Sequence, residues 1–366
     1  MVEPGGKDQV VAQKVVWLYR RPHYAPDLAE AFSRVGWHAE LVPEREMIRR
    51  LMTKESKPDM VVSNVAGVSL AEPHPPGTVT VNTLTEEQRI PLVWLMWDSL
   101  FHDPALATVE QQAGAVKLGL PVVYPMVYPN QYNLYVFTVS KEAVPYLKGA
   151  HVEHMPFGVN ERRFRPMNVH QPYPTGFIGT SLIGDGLNAL PLLEELGIAN
   201  GVDLGDPATA RTWSILADVG MSAMDRVEAC EAVGAHVWGA NWDRVENVTH
   251  HGMCDWATDL PLVLNSCGVN LNVSKRCFPT DIAPRLLEIL ACGGVCISNR
   301  LPGIEAEFGD AVWFYDSIPE LQELTARLQV DGGARNEKRL IGRTIIEAKH
   351  TWEHRVKRIL EVTGVV

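Results

Sequence analysis

Asp281-Ile-Ala-Pro-Arg-Leu-Leu-Glu-Ile-Leu-Ala-Cys-Gly-Gly-Val-Cys-Ile-Ser-Asn-Arg300 reads as a helix that stops at a glycine pair and runs on into an apolar strand. Gly293 and Gly294 end the helix, because glycine accepts the left-handed turn that closes a C-terminus. Arg285 and Glu288 are spaced to share one helical face. A cation able to hold a phosphate and an anion able to hold sugar hydroxyls therefore point the same way, a combination that suits a sugar nucleotide. Asp281 is read as part of the same helix. A helix feeding a strand in this manner is the repeating unit of an α/β sheet.

The same unit recurs outward along the chain. Val15–Tyr19 is a short apolar run followed by the polar Arg20-Arg21-Pro22-His23 and an amphipathic stretch from Pro26 to Val35. Ala39 to Val42, a helix over Arg45 to Thr53, and the strands Met60–Ser63, Leu92–Met96 and Leu134–Thr138 continue it. Apolar strands alternating with helices predict a parallel sheet covered on both faces. The proline-rich, aperiodic residues 161–174 read as a linker. A second set then begins at Thr175–Thr180, with a helix over Ala189 to Leu196, mainly helical structure from Val202 to Val233, and strands at Ala235–Gly239, Val269–Val273, Val295–Ser298 and Ala311–Tyr315. From Lys338 to Val362 the spacing predicts one long amphipathic helix. The expected domains are thus 1–160, 175–337 and a C-terminal helix from 338 to 366.

The fold class expected is α/β, with two doubly wound Rossmann-like domains facing each other across a cleft. Sheets of this kind bind ligands beyond the carboxyl ends of their strands. At 366 residues and 46% hydrophobic content, the chain exceeds a single comfortable core. A net charge of -11 argues against nonspecific attraction to nucleic acid or an anionic membrane. No apolar run approaches the roughly 20 residues that span a bilayer, and no basic-then-apolar leader precedes the first strand. A soluble, cytoplasmic protein is the expectation. The six cysteines lack CxxC pairs and read as reduced, mostly buried thiols. His250-His251-x-x-Cys254-Asp255 reads either as metal ligands or as a polar loop; neither a second cluster nor zinc-finger spacing accompanies it, and no metal is assigned.

Several ordered blocks resemble a glycosyltransferase of the GT-B fold, and more narrowly the CgeB-like, spore-maturation group among the family-1 or family-4-like transferases. They are Phe177-Ile-Gly-Thr-Ser181, Val237-Trp-Gly239, Leu264 to Asn272, Arg285 to Gly294, Leu301-Pro-Gly-Ile-Glu305 with Phe308, Phe314-Tyr-Asp-Ser317 and His350-Thr-Trp-Glu-His-Arg355. Trp97-Asp98, Val136 to Ser140 and Pro156-Phe-Gly-Val-Asn160 carry the N-terminal part. The resemblance implies that the C-terminal domain holds a UDP-, GDP- or dTDP-sugar as substrate, with no cofactor. It implies that the first domain presents an acceptor, whether a small molecule, glycan, protein or nucleic-acid base. It also implies a C-terminal helix that crosses back to the first domain, and a retaining outcome. Glu288 falls where the family's second paired glutamate accepts from ribose hydroxyls. The first acid's place is held by Thr280, with Asp281 beside it as the substitute.

The family's basic pair near the start of the second domain is missing from Gly179–Gly184, so Arg285, Lys275 or Arg276 must meet the diphosphate. Fixed cations and helix-end amides can neutralise a leaving nucleoside diphosphate without a metal. Arg285 offers a planar fork to two phosphate oxygens, or else pairs along its own helix with Asp281 or Glu288. Lys275 and Arg276 lie at the carboxyl end of a strand and are either phosphate ligands or a solvated charge pair. Gly179, Thr180 and Ser181 either let backbone amides approach phosphate or form a plain tight turn. On the acceptor side, Asp98 either deprotonates a hydroxyl or caps a helix, with His102 and Asp103 nearby. His23, after the first strand, is either a second cleft candidate or merely an exposed loop histidine, and His74 in its proline-rich loop carries little weight. A sugar-nucleotide epimerase, a phosphorylase of the same fold, or a degenerate nucleotide- or partner-binding protein are the competing readings.

Overall fold

A computed structural model of the chain describes residues 13–19, 24–63, 81–96, 132–139, 141, 144, 149–181, 221–276 and 279–365. The first sheet comprises β1 (Val15–Tyr19), β2 (His38–Val42), β3 (Met60–Ser63), β4 (Leu92–Met96), β5 (Leu134–Thr138) and β6 (His151–His154), in the order β2-β1-β3-β4-β5-β6. The second comprises β7 (Tyr173–Ile178), β8 (His236–Trp238), β9 (Thr249–His250), β10 (Cys267–Asn272), β11 (Cys296–Asn299) and β12 (Trp313–Tyr315), in the order β12-β11-β10-β7-β8-β9. Every pairing is parallel. The second sheet reverses direction of strand order between β7 and β10, the topological switch point at which doubly wound sheets bind ligands.

Among the described residues the helices are α1 (Ala25–Arg34), α2 (Glu44–Thr53), α3 (Val81–Glu87), α4 (Leu260–Ser266), α5 (Pro284–Ala291), α6 (Pro302–Phe308), α7 (Ile318–Val330), α8 (Gly332–Lys349) and α9 (Trp352–Thr363). A further helical stretch covers 221–232. The central strands β1, β3, β4 and β5 are apolar because helices cover both faces. In β1, Trp17 joins one core cluster while Val16 and Leu18 join another, the period-2 alternation of a strand buried on both sides. No described helix is long and apolar enough to cross a membrane. Cys230, Cys254, Cys267, Cys292 and Cys296 are free thiols, all but Cys254 buried, and burial pushes Cys267 and Cys292 up to about 12. Cys277 and the expected helix over Ala189 to Leu196 lie outside the described residues.

Three expectations need correction. Asp281 is not on the helix that carries Arg285. Pro284 sits at the first helical position, and the residue before a proline is held extended; Ala283 has ψ 138°, so α5 begins after it. The expected long helix over Lys338 to Val362 is two helices, α8 and α9, broken at His350-Thr351. Thr351 is extended and its hydroxyl accepts from the His354 amide, a side-chain N-cap that starts a new helix. The strands β6 and β9 were not expected at all; both lie on sheet edges and are short or polar.

The break is where the chain changes sheets. The Val159 amide donates to the His350 carbonyl at 2.9 Å and the Trp352 amide donates to the Val159 carbonyl at 3.1 Å, a single parallel bridge. Beyond it α9 packs against α1, the first helix of the first sheet. Buried Arg355 locks the crossing by donating to the carbonyls of Pro156 (2.7 Å), Phe157 (2.9 Å) and Lys349 (2.8 Å) and to His350 Nδ1 (2.9 Å). An arginine only donates, so His350 Nδ1 accepts and its Nε2–H donates to Glu307 at 3.0 Å. A Cβ on Gly158 would sit 2.7 Å from the Trp352 ring, so only glycine lets that ring close over the bridge.

Candidate functional site

The carboxyl ends of β7 and β10 are assembled from small residues and caged carbonyls. Gly179, next after β7, has φ 157° and its carbonyl accepts from Trp242 Nε1 at 2.7 Å. Gly239, next after β8, has φ 142° and lies so close that a Cβ there would collide with the Gly179 carbonyl. Gly239→Ala is therefore expected to cost about 3 kcal/mol, since the obstacle is backbone and the dihedral disfavours a side chain. Urea unfolding reads this; an unchanged midpoint would mean the two turns do not touch.

Ser181 continues the turn, its amide donating to the Ala240 carbonyl at 3.2 Å. Thr180 is half-buried between these two residues.

The helix α5 stands beside this turn. Its end is fixed as the glycine pair implied: the Gly293 amide donates to Leu290 and the Gly294 amide to Ile289, with Gly293 at φ 62°. Arg285 Nε donates to the Ile178 carbonyl at 3.2 Å and Nη1 to Glu288 Oε2 at 2.7 Å. Glu288 is 3% exposed, and its other oxygen accepts from Trp256 Nε1 at 2.7 Å. Burial pushes the Glu288 carboxyl up, against the opposing pull of Arg285, the Trp256 hydrogen bond and Arg163. Helical spacing alone predicts the Arg285–Glu288 pair. It does not predict that the pair is buried and bonded to the last carbonyl of β7.

Trp256, Arg163, Asp27, Asn160 and Tyr24 carry no site signal of their own in the sequence, yet they extend the site to the first sheet. The Arg163 guanidinium lies 3.6 Å over the Trp256 ring and its Nη2 pairs with Asp27 Oδ2 at 2.5 Å. Asp27 on α1 also accepts from Asn160 Nδ2 at 2.9 Å, and burial raises its carboxyl to about 6 despite Arg163. Tyr24 meets the edge of Trp256 with ring centroids 5.1 Å apart, and burial drives its phenol well up. A chain of contacts thus runs Asp27, Arg163, Trp256, Glu288, Arg285 and the end of β7. The block Pro156 to Asn160 was one signal of it, since Asn160 is where the connection docks on α1.

The other expected residues separate. Arg276 forks onto Asp225, with Nε to Oδ2 at 2.6 Å and Nη2 to Oδ1 at 2.8 Å, on an exposed surface; this is the charge-pair alternative. Lys275 is half-buried just before it, and Asp281 half-buried ahead of α5. Asp98, His102, Asp103, His23 and His74 lie outside the described residues. The polar loop divides: His250 bonds the Gly239 carbonyl and Asp243, while His251 bonds His236 and stacks on Trp238. Asp255 accepts from the amides of Ala257 and Thr258. Among the described residues no group of three His, Cys, Asp or Glu could hold a metal ion.

One cation at the switch point went unnoticed in the sequence. Arg226, on the helical stretch 221–232, donates from Nε to the Val273 carbonyl at 3.1 Å and from Nη1 to the Thr180 carbonyl at 3.0 Å. It therefore bridges the loops that leave β7 and β10.

Residues 222–361 match a family model described as glycosyl transferase-like. No curated protein matches the chain in sequence. Among solved structures, the chain is similar to AviGT4, a glycosyltransferase involved in avilamycin A biosynthesis, at 14% identity, covering 96% of this chain and 99% of that one with a TM-score of 0.53. It is similar to sucrose-phosphate synthase from Thermosynechococcus elongatus at 13% identity, covering 96% and 98%, TM-score 0.51. It is likewise similar to Anabaena HepE solved in complex with UDP-glucose, at 11% identity, covering 96% and 100%, TM-score 0.51. The fold is GT-B.

Proposed function

We propose that this glycosyltransferase moves a sugar from a nucleotide donor, UDP-, GDP- or dTDP-linked, to a hydroxyl-type acceptor without a bound metal ion. The observation that carries the reading is the switch point between β7 and β10, where α5 brings Arg285 and buried Glu288 against the last carbonyl of β7. Anabaena HepE, of the same fold, was solved with UDP-glucose. The family-model match falls on the same half of the chain. In this reading the second domain holds the donor and the first presents the acceptor. Asp98, read from sequence alone, orients or deprotonates the acceptor hydroxyl, with His102 close by in the chain. The finer affiliation is CgeB-like, the outcome retaining, and the setting cytoplasmic.

Chemically, departure of the nucleoside diphosphate leaves charge on the β-phosphate, and pre-oriented donors that stabilise it lower the barrier. Arg285 is held for that task at two points, and Glu288 fixes its fork. Its Nη2 has no hydrogen bond among the described residues.

Purified protein is tested with UDP-, GDP- and dTDP-sugars, following melting temperature and nucleotide release with and without acceptors. One donor class is expected to raise the melting temperature by a few degrees and to be consumed, with the rate unchanged by a metal chelator. If no donor is bound or consumed, the reading fails; if chelation abolishes turnover, its metal-independent part fails.

A further inference from the structure

Several arginines lie at the carboxyl end of the second sheet or beside it, and their partners differ in kind; Arg300, just past β11, is paired with Asp316 and Glu305. Arg276 is forked onto Asp225, Arg285 is paired with Glu288, and Arg163 with Asp27. Among the described residues, Arg226 is bonded to two neutral carbonyls and nothing else. Two of its five N–H groups are engaged, and among the described residues it has no carboxylate partner. Its guanidinium also lies 5.7 Å over the Phe177 ring, which packs the side chain toward β7. Burial lowers its pKa to about 10, the response of a cation held away from water without an anion to offset it.

The place matters as much as the charge. The two carbonyls are those of Thr180, just past β7, and Val273, just past β10, so the guanidinium spans the switch point itself. Arg285 holds the Ile178 carbonyl on the other side of Gly179. Gly179 is thus flanked by two guanidinium groups delivered from separate helices. Arg285 is offset by the buried Glu288, whereas Arg226 has no carboxylate partner among the described residues.

We propose that Arg226 is a second diphosphate anchor of this enzyme, acting beside Arg285, its remaining N–H groups binding phosphate oxygens of a nucleoside diphosphate laid across the ends of β7 and β10. The proposal rests on the reading of the chain as a nucleotide-sugar transferase. It replaces the basic pair that the sequence Gly179–Gly184 lacks by a residue from the helix preceding β8. No covalent step is involved; the anion completes a cation site that, among the described residues, is met by carbonyl dipoles.

Calorimetric titration of the wild type, R226Q and R226K with UDP, GDP and dTDP, and with the parent nucleosides, tests it. The wild type is expected to bind one of the diphosphates. R226Q should bind that diphosphate about 30- to 100-fold more weakly, in line with the loss of a charge-assisted, forked contact, while nucleoside affinity changes less than about 3-fold. R226K, which keeps a point charge without the fork, should fall between. Equal diphosphate affinity in R226Q and wild type overturns the proposal. So does an equal loss for diphosphate and nucleoside, which would mark a purely structural arginine. If R226Q does not fold, R226K decides: a diphosphate-specific loss of at least about 5-fold supports the anchor, and no loss overturns it. A wild type that binds no nucleoside diphosphate overturns the donor reading itself, whatever Arg226 does.

Discussion

Arg355→Met lowers the stability of the whole chain by about 4 kcal/mol, because it strands buried acceptors that the guanidinium satisfies together. Those acceptors are the carbonyls of Pro156, Phe157 and Lys349 and the Nδ1 of His350. Methionine fills comparable volume, so the cost reports lost hydrogen bonding more than a cavity. Urea unfolding measures it, and a change under about 1 kcal/mol would show that the crossing is held by packing alone. The same variant carries a pH signature. Burial first, then the Arg355 charge, depress His350 to about 4. A histidine so depressed contributes stability that is present above its unfolded value near 6.5 and is lost as pH falls through about 4. That one group accounts for an acid-side loss of about 3 kcal/mol in the wild type. Without Arg355 the imidazole protonates more readily, so the acid limb becomes shallower; an identical slope would rule out the coupling.

Glu288 gives the second large effect. Glu288→Gln has one oxygen for two donors: if it stays on Trp256 Nε1–H, the amide N–H2 faces Arg285, and if it turns to Arg285, Trp256 loses its acceptor. Removing one partner's charge from a buried pair costs about 3–5 kcal/mol, and the pair's geometry makes that range the expectation here. Arg285→Met combined with Glu288→Gln should cost less than the sum of the two by at least about 1 kcal/mol, the non-additivity expected of residues in direct contact. Strict additivity would deny the pair. Donor turnover in Glu288→Gln should drop by about 10²-fold, the scale of one misplaced transition-state donor. A ribose-binding role is separable from a positioning role. If Glu288 accepts from a ribose hydroxyl, the wild type prefers a nucleoside diphosphate over its dideoxy analogue and Glu288→Gln does not. If both proteins show the same preference, Glu288 acts only through Arg285.

The sheets were legible because strands buried on both faces are written as unbroken apolar runs. Val15–Tyr19, Met60–Ser63, Leu92–Met96 and Leu134–Thr138 have the bounds expected of them. The edge strand His151-Val-Glu-His154 is half-buried and polar, so hydropathy carries no trace of it. Amphipathic spacing from Lys338 onward runs across the break at His350 because both helices bury one face; only the Thr351 hydroxyl and the Val159 bridge set the stop. In the site, Arg285 and Glu288 were legible since three residues on a helix fix their relation locally. Asp27, Arg163 and Trp256 come from three distant segments and are ordinary residues in each. Arg226 was hidden similarly: a lone arginine in a helix gives no sign that both of its partners are strand-end carbonyls.

The seating of α9 on α1 bears on how the molecule comes into being. Synthesis proceeds from the amino terminus and domains tend to fold as they emerge, yet the helix that covers α1 is translated only after both sheets. The early half therefore waits, with the α1 surface that α9 will cover still open, through the making of its entire successor. Contacts between chain segments so far apart also slow folding, since the loop must close before they are rewarded. The nascent chain's most vulnerable surface is thus predicted on α1, and the helix that shields it is made only after both sheets.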